Sequence, residues 1–439
     1  MATPPARAPS LSHSFAAADD GTQLSYYSVG EGPNLLVLHG AVTYALTHKE
    51  LALALSPYFT VHIASRRGRG LSGPYPSSVT SLEALDGNMN TTNNNPDPKA
   101  TDKGKEIPNY ERTYNPDFTA VVLATEAADL QTLLKATDST FLLAVSSGAL
   151  IALHYLDLLA TTTIAKTATG TNTPLRKIIL FEPPLIIPPS PTVHSSSVKS
   201  AKAVKSSVDI TLLARYESER AANANANAMI TAMRLVQLGP PACIPRWVVR
   251  TVAERVIFPA EEREVQSRRE RRERREREKA GKGKEDRDGQ EGVEGDNDSD
   301  DDRGVCTMLG LGEVLRYDFV VVEGMMVRMF MAVRQDGGDG DGEGERAAGG
   351  RGLMERLHAA SVGERKRDIL LLGGGKSPGY LKEALGHLRE ALPAAKTVVM
   401  DGVGHEVLCG KEMRGRPEVA VPAIREFFLG SSWGRGVSL

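Results

Sequence analysis

The chain has 439 residues, 41% hydrophobic and 25% charged, with 53 Lys and Arg against 55 Asp and Glu for a formal net charge of −2. That length suffices for one large domain or two ordinary ones, and the near-neutral balance gives no reason to expect a nucleic-acid or membrane partner. No apolar run is long enough to span a bilayer, and three widely spaced cysteines, Cys243, Cys306 and Cys409, argue against a disulfide framework and for a reducing, cytoplasmic setting.

In chain order, residues 1–20 are expected as a flexible tail, since Met1–Ser14 is rich in Ala, Pro and Ser and lacks the apolar core of a secretory signal. Gln23–Ser28 alternates and is expected as an edge strand; Leu35–Leu38 is a continuous apolar run, as in a strand buried on both faces of a parallel sheet. A short helix over Glu50–Leu55 and a strand over Phe59–Ala64 follow. Residues 84–110 are polar and of low complexity, and are expected as a disordered insertion. A helix is expected over Phe118–Thr137, then a strand over Phe141–Val145, a helix over Ser147–Leu159 and a strand over Lys177–Phe181. Asp209–Leu238, Pro245–Phe258 and Met308–Val333 have helical patterns, the last with Met325, Met326, Met329 and Met331, a stripe that suits plain core or an adaptable apolar pocket. Between them, the mixed-sign run from Glu261 suits a solvated helix and the acidic run Asp296–Asp302 a disordered one. The basic stretch Arg268–Arg272 is nearly cancelled by its glutamates, so a solvated segment is expected there and no nucleic-acid site. After a Gly/Asp/Glu linker, a strand at Asp368–Leu372, a helix at Tyr380–Leu392, a strand at Thr397–Met400 and a helix at Val419–Leu429 complete the chain.

Phe141–Leu150 reads FLLAVSSGAL: an apolar strand that stops at Ser146, then a helix-forming run. Ala144 and Gly148 flank Ser146 in a small-x-Ser-x-small pattern, a variant of the G-x-S-x-G elbow, in which a serine at a sharp strand-to-helix turn projects its hydroxyl above the sheet. Alone, the pattern also fits an ordinary Ser-Ser-Gly turn. Three further stretches join it: Leu35–Gly40, ending in His39-Gly40; Ser65–Pro74, with Arg66-Arg67-Gly68-Arg69-Gly70; and Thr397–Glu406, ending in Gly404-His405-Glu406. In this order the set resembles the α/β-hydrolase superfamily, over about Gly21–Thr80, Arg112–Ile187 and Asp368–Phe428. The resemblance implies a mostly parallel, doubly wound α/β sheet with a helical lid. Residues 21–187 and 361–439 are then the two parts of the core, and 188–360 the lid, with low-complexity insertions at 261–303 and 335–352.

A serine hydroxyl needs a neighbouring base, and His405, just after the last strand, is the candidate. The resemblance supplies two backbone N–H donors for an oxyanion, those of Ala41 and Ser147, with Gly40 allowing close approach. It gives His39 a structural hydrogen-bonding role and Arg67, in the arginine loop, a place beside the site. Relatives usually carry the third member, an acid, on the loop after the penultimate strand; here that loop is Leu372–Pro378 and presents Lys376. Glu182, in Phe181-Glu182-Pro183, ends the strand before it and keeps the order nucleophile, acid, histidine. It suits the acid, and equally a carboxylate that fixes a hinge or a backbone amide. Asp401 lies too close to the strand end to reach round easily.

Three functional readings follow. The first is a serine hydrolase acting, through Ser146, His405 and Glu182 and an acyl-enzyme intermediate, on a small or medium ester, thioester or amide, without cofactor or metal. The second is a decayed, non-catalytic binding protein. The third is a nucleic-acid or scaffold protein using the charged insertion; the fold also hosts lyases and haloperoxidase-like enzymes, an alternative to the first reading. Substrate identity and oligomeric state are not readable from the sequence.

Overall fold

A computed structural model of the chain describes residues 10–81, 114–165, 175–185, 210–235, 244–282, 306–335, 357 and 368–430. The strands are β1 (Ser12–Ala17), β2 (Gln23–Val29), β3 (Asn34–Leu38), β4 (Thr60–Ala64), β5 (Phe141–Val145), β6 (Lys177–Phe181), β7 (Asp368–Gly374) and β8 (Lys396–Met400). They form one sheet in the order β1-β2-β4-β3-β5-β6-β7-β8. β2 runs antiparallel to β1 and to β4, and every pairing from β4 through β8 is parallel. The mostly parallel sheet expected from the sequence is therefore present.

In β3, β4, β5 and β6 the first residue is partly exposed and the next four are buried. Both faces of these strands are covered, which is why their sequences are unbroken apolar runs without alternation. Successive side chains still point to opposite faces. Leu36, Leu142, Ile178 and Ile369 stand in register across four strands and join one core. Val37, Leu143, Ile179 and Leu370, one residue on, join the other.

The helices are α1 (Lys49–Leu55), α2 (Pro116–Ala136), α3 (Ser147–Ala165), α4 (Ile210–Ala221), α5 (Asn225–Leu235), α6 (Arg246–Val252), α7 (Phe258–Lys282), α8 (Met308–Gln335), α9 (Gly379–Ala391) and α10 (Pro417–Leu429). α1 and α10 cover the Val37 face; α2, α3, α8 and α9 cover the Leu36 face. α2 starts where its sequence tells it to: the Asn115 side chain accepts from the Asp117 N–H at 2.8 Å and Pro116 occupies the first turn, satisfying a donor that would otherwise lack a partner. α8 packs against α2, α3 and α5, which carries the helical segment between β6 and β7 back onto the sheet. Within it, the stretch expected to be helical at Asp209–Leu238 holds two helices, α4 and α5. A π-helical turn, Ala253–Ile257, joins α6 to α7, and the mixed-sign run is helical as far as Lys282. α7 is tied to the first turn of α8 by Glu261, whose carboxylate accepts from the Met308 N–H at 3.0 Å. No described helix is long and apolar enough to cross a membrane. Cys306 and Cys409 form no disulfide among the described residues. The expected insertion at 84–110, the acidic run at 296–302 and the linker after Gln335 lie outside the described residues.

Two expectations at the N-terminal end need correction. Residues 12–17 are not a tail; they pair with Gln23–Ser28 of β2. β2 is consequently not an edge strand. The alternation of Gln23–Val29 marks a strand with one face less covered, which is a property of burial and not of position in the sheet. The β1–β2 hairpin is also pinned by charge. Arg67 reaches Asp20 with Nη1–Oδ2 at 2.9 Å and Nη2–Oδ1 at 3.1 Å, and Asp129 of α2 with Nε–Oδ2 at 2.5 Å and Nη2–Oδ1 at 2.8 Å.

Hydrogen bonding from Arg67 holds the Asp20 carboxyl at about 2, below its ordinary 3.8. A folded-state pKa below the unfolded one adds stability above the unfolded value and loses it as pH falls through the folded value. Asp20→Asn should therefore lower the urea midpoint at neutral pH. The gap from wild type should narrow as pH drops below about 5 and close only as it falls through about 2. Equal gaps at every pH would exclude this charge pair as the cause.

Candidate active site

β5 ends at Val145 and α3 begins at Ser147, so Ser146 alone makes the turn. Its φ is +53°, a left-handed conformation that costs an ordinary residue roughly 1–2 kcal/mol. The turn is held in place by the Ser146 N–H, which donates to Phe181 O at 2.8 Å, and by Ser146 O, which accepts from Ala149 N–H at 2.9 Å. Its tightness explains the small neighbours. A Cβ on Gly148 would lie 2.5 Å from His39 O and 2.8 Å from Leu38 O; one on Gly40 would lie 2.7 Å from Ser146 Cβ. Ala144, in the other small position, is fully buried.

Beside the elbow, β6 delivers Glu182. Its φ is +45° and its N–H donates to Leu372 O at 3.1 Å. The buried carboxylate then bridges two loops: Oε1 accepts from the Gly374 N–H at 2.6 Å and Oε2 lies 2.6 Å from His405 Nδ1. With the Nδ1 proton donated to Glu182, His405 Nε2 has no hydrogen-bond partner among the described residues. His405 stands at the start of a short 3-10 turn, His405–Leu408, and its ring stacks on Phe181 with centroids 5.6 Å apart and planes inclined by 17°. Lys376, on the loop after β7, is exposed, and its N–H donates to Val403 O at 2.8 Å. Asp401 is exposed as well.

Ser146 and His405 face one cavity of ≈ 50 Å³, room for a few water-sized groups. Among the described residues no hydrogen bond joins them directly. Ala41 and Ser147 also border the cavity, and Ser147, as the first residue of α3, has no acceptor for its N–H within the helix. The walls are otherwise mostly apolar: Val42, Pro184, Leu235, Phe319 and Val322, with the polar side chains of Asp318 and Tyr380. Val42 has φ +58°, an outlier for a β-branched residue. Three left-handed residues, Val42, Ser146 and Glu182, thus follow the ends of three adjacent strands around the same space.

His39 and Arg67 do not wall this cavity. The Arg66 N–H donates to His39 Nε2 at 3.0 Å, so His39 Nδ1 carries the proton and donates to Gly40 O at 2.8 Å. Burial, reinforced by the Arg69 and Arg66 charges, holds this imidazole well below its ordinary pKa, hence neutral. It braces the Gly40–Ala41 backbone. Arg67 is spent on Asp20 and Asp129, and its neighbour Arg66 is the arginine that reaches the elbow. Arg66 Nη1 donates to Ser147 Oγ at 3.2 Å and to Asp318 Oδ1 at 2.5 Å; its Nε and Nη2 bind Glu126 at 3.1 and 2.5 Å. Burial alone would raise the pKa of Asp318, but the Arg66 and Arg69 charges pull it below the usual carboxylate range. Burial, then the Glu182 charge, pushes Tyr380 up. Asp318 and Tyr380 carried no motif. A lone acid inside the apolar helical run Tyr317–Val322 was the available signal for the first.

Comparison of the sequence with protein-family models and with curated proteins finds no match. Comparison of the structure does. An α/β-hydrolase from Sphaerobacter thermophilus DSM 20745 aligns over 94% of this chain and 100% of its own, with 18% identity and a TM-score of 0.50. The esterase EaEST from Exiguobacterium antarcticum aligns over 94% and 99%, with 12% identity and a TM-score of 0.44. The esterase RhEst1 from Rhodococcus sp. ECU1013 aligns over 95% and 98%, with 16% identity and a TM-score of 0.42. At such identities the likeness is one of fold.

The elbow itself is testable by packing. Gly148→Ala drives a methyl into two rigid backbone carbonyls and should cost roughly 1–3 kcal/mol, read as a lower urea midpoint at unchanged m-value. A neutral effect would mean that α3 and the His39 strand end are not in close contact.

Proposed function

We propose that this chain, which has the α/β-hydrolase fold, is a serine hydrolase with Ser146 as nucleophile, His405 as base and Glu182 as the orienting acid. The observation that carries this reading is the 2.6 Å contact between His405 Nδ1 and Glu182 Oε2, made beside a serine in a left-handed turn. His405 Nε2 takes the Ser146 proton as the oxygen attacks an acyl carbon. Glu182 keeps the imidazole in the required tautomer and stabilises the imidazolium that forms. The Ala41 and Ser147 N–H groups take the oxyanion. His405 then returns the proton to the leaving group, and water hydrolyses the acyl-enzyme by the same steps. The ≈ 50 Å³ cavity with apolar walls favours a short acyl chain on an ester, thioester or amide. The reaction calls on no metal or cofactor. The three widely spaced cysteines, Cys243, Cys306 and Cys409, fit a reducing, cytoplasmic setting.

A fluorophosphonate should label wild type at Ser146, and Ser146→Ala and His405→Ala should each abolish labelling and turnover while leaving folding intact. Their double mutant should be little worse than either alone, because the pair acts as one unit. Glu182→Gln should cut turnover of p-nitrophenyl acetate roughly 10³–10⁴-fold. An unreactive Ser146 in folded wild-type protein would leave a non-catalytic binding role. Labelling that survives Glu182→Gln at full rate would remove the acid from the mechanism.

A further inference from the structure

Among the described residues, Asp318 is the one carboxylate that borders the cavity from the helical segment between β6 and β7. Its side chain is 1% exposed, and three donors meet it. Oδ1 accepts from Ser147 Oγ at 2.7 Å and from Arg66 Nη1 at 2.5 Å; Oδ2 accepts from Arg69 Nη2 at 2.5 Å. Arg69 also donates to Val314 O, one turn earlier on α8, at 3.3 Å. The two arginines come from the loop after β4, and Ser147 opens α3. One carboxylate on α8 therefore closes a network whose other members belong to the sheet core.

The two oxyanion donors sit on opposite arms of that network. On one arm, Asp318 holds Ser147 Oγ, and so the orientation of the first residue of α3, whose N–H points at the cavity end of the helix. On the other, the Arg66 N–H holds His39 Nε2 and the His39 ring holds Gly40 O, the carbonyl directly before the Ala41 N–H. Thr43 Oγ1 donates to the same carbonyl at 3.0 Å. Arg66 is common to both arms. Its guanidinium is locked between Asp318 and Glu126 at 2.5 Å each, a fork that cannot rotate without abandoning one acid. Remove Asp318 from its place and Arg66 loses one of two anchors, Arg69 its only ion-pair partner among the described residues, and Ser147 its acceptor. Buried charges left in that state are costly, so the arms rearrange.

We infer that Asp318 is a positioning residue that sets the oxyanion hole, coupling the seating of α8 on the core to the alignment of the Ala41 and Ser147 N–H groups. The inference rests on the proposed role of those two amides. It assigns α8 a duty beyond covering the cavity: with α8 seated, both donors are aligned; with α8 displaced, both are released together. Catalytic competence and closure of the site are then one event.

The test uses the full-length chain as wild type, Asp318→Asn, Ser147→Ala and the double mutant. Asn keeps the size of Asp and one acceptor oxygen but turns an N–H₂ group toward an arginine. Ser147→Ala removes only the hydroxyl, so it folds even if the first variant does not. Fluorophosphonate labelling of Ser146 should slow about 10–100-fold in each, less than the roughly 10²–10³-fold loss of a whole oxyanion donor. Where p-nitrophenyl acetate is turned over, kcat should fall and KM should stay within about twofold, since an oxyanion contact is made only in the transition state. The double mutant should be no worse than the poorer single. Amide exchange should rise at least about tenfold at residues 40–43 and 147–150 while β3 and β5 stay protected. Lower thermal stability with labelling per folded molecule and local exchange both unchanged would overturn the inference and leave Asp318 a purely structural acid. If wild type itself does not label, the hydrolase reading fails, and the exchange measurement alone then decides whether Asp318 aligns these two segments.

Discussion

Arg66 is the constraint on which the rest of the site depends. It is 1% exposed with its two carboxylate partners at 1–2%, and it touches the strand-end loop after β3 through His39, α2 through Glu126, α3 through Ser147 and α8 through Asp318. Burying one such cation costs several kcal/mol, and only close partners return it. Here two arginines, Arg66 and Arg69, meet two acids, Glu126 and Asp318, so the cluster is neutral while every element that forms it is held at hydrogen-bond distance. Tyr75 adds a short hydrogen bond to Glu126. Arginine suits the position because one planar fork serves several acceptors at fixed angles.

Around that cluster the backbone stores strain. Val42, Ser146 and Glu182 are all left-handed, at φ +58°, +53° and +45°, each a cost of about 1–3 kcal/mol. They persist because parallel pairing on either side leaves the strand ends no freedom: Ser146 and Glu182 are each tied to the next strand by their own N–H. Val42 and Ser146 line the cavity, and Glu182 reaches His405, which lines it too.

The carboxylate partner of His405 comes from the end of β6, one strand nearer the elbow than the loop bearing Lys376. Adjacent strands lie roughly 4.7–4.9 Å apart. The glutamate directly after β6 reaches across that spacing, accepting from the Gly374 N–H of β7 with one oxygen and meeting the imidazole with the other. The β7 loop thus still contributes to the site, as a backbone donor rather than as an acid. That frees position 376 to be an exposed lysine.

The sequence by itself determined the local parts. Unbroken apolar runs located the strands at Leu35, Phe141 and Lys177 because strands covered on both faces admit little else. Ala144, Ser146 and Gly148 marked the elbow because a Cβ at 148 meets carbonyl oxygens. The tertiary structure decided what depends on distant pairing. β1 was hidden because a short polar-apolar segment becomes a strand only when β2 is beside it. Whether Glu182 met His405 or only braced a hinge or a backbone amide needed the packing of residues 223 apart in sequence. Asp318 meets Arg66 across 252 residues, and no spacing rule spans that distance. Local chemistry is written in neighbouring side chains, whereas a network of buried charges exists only after the chain has closed around it.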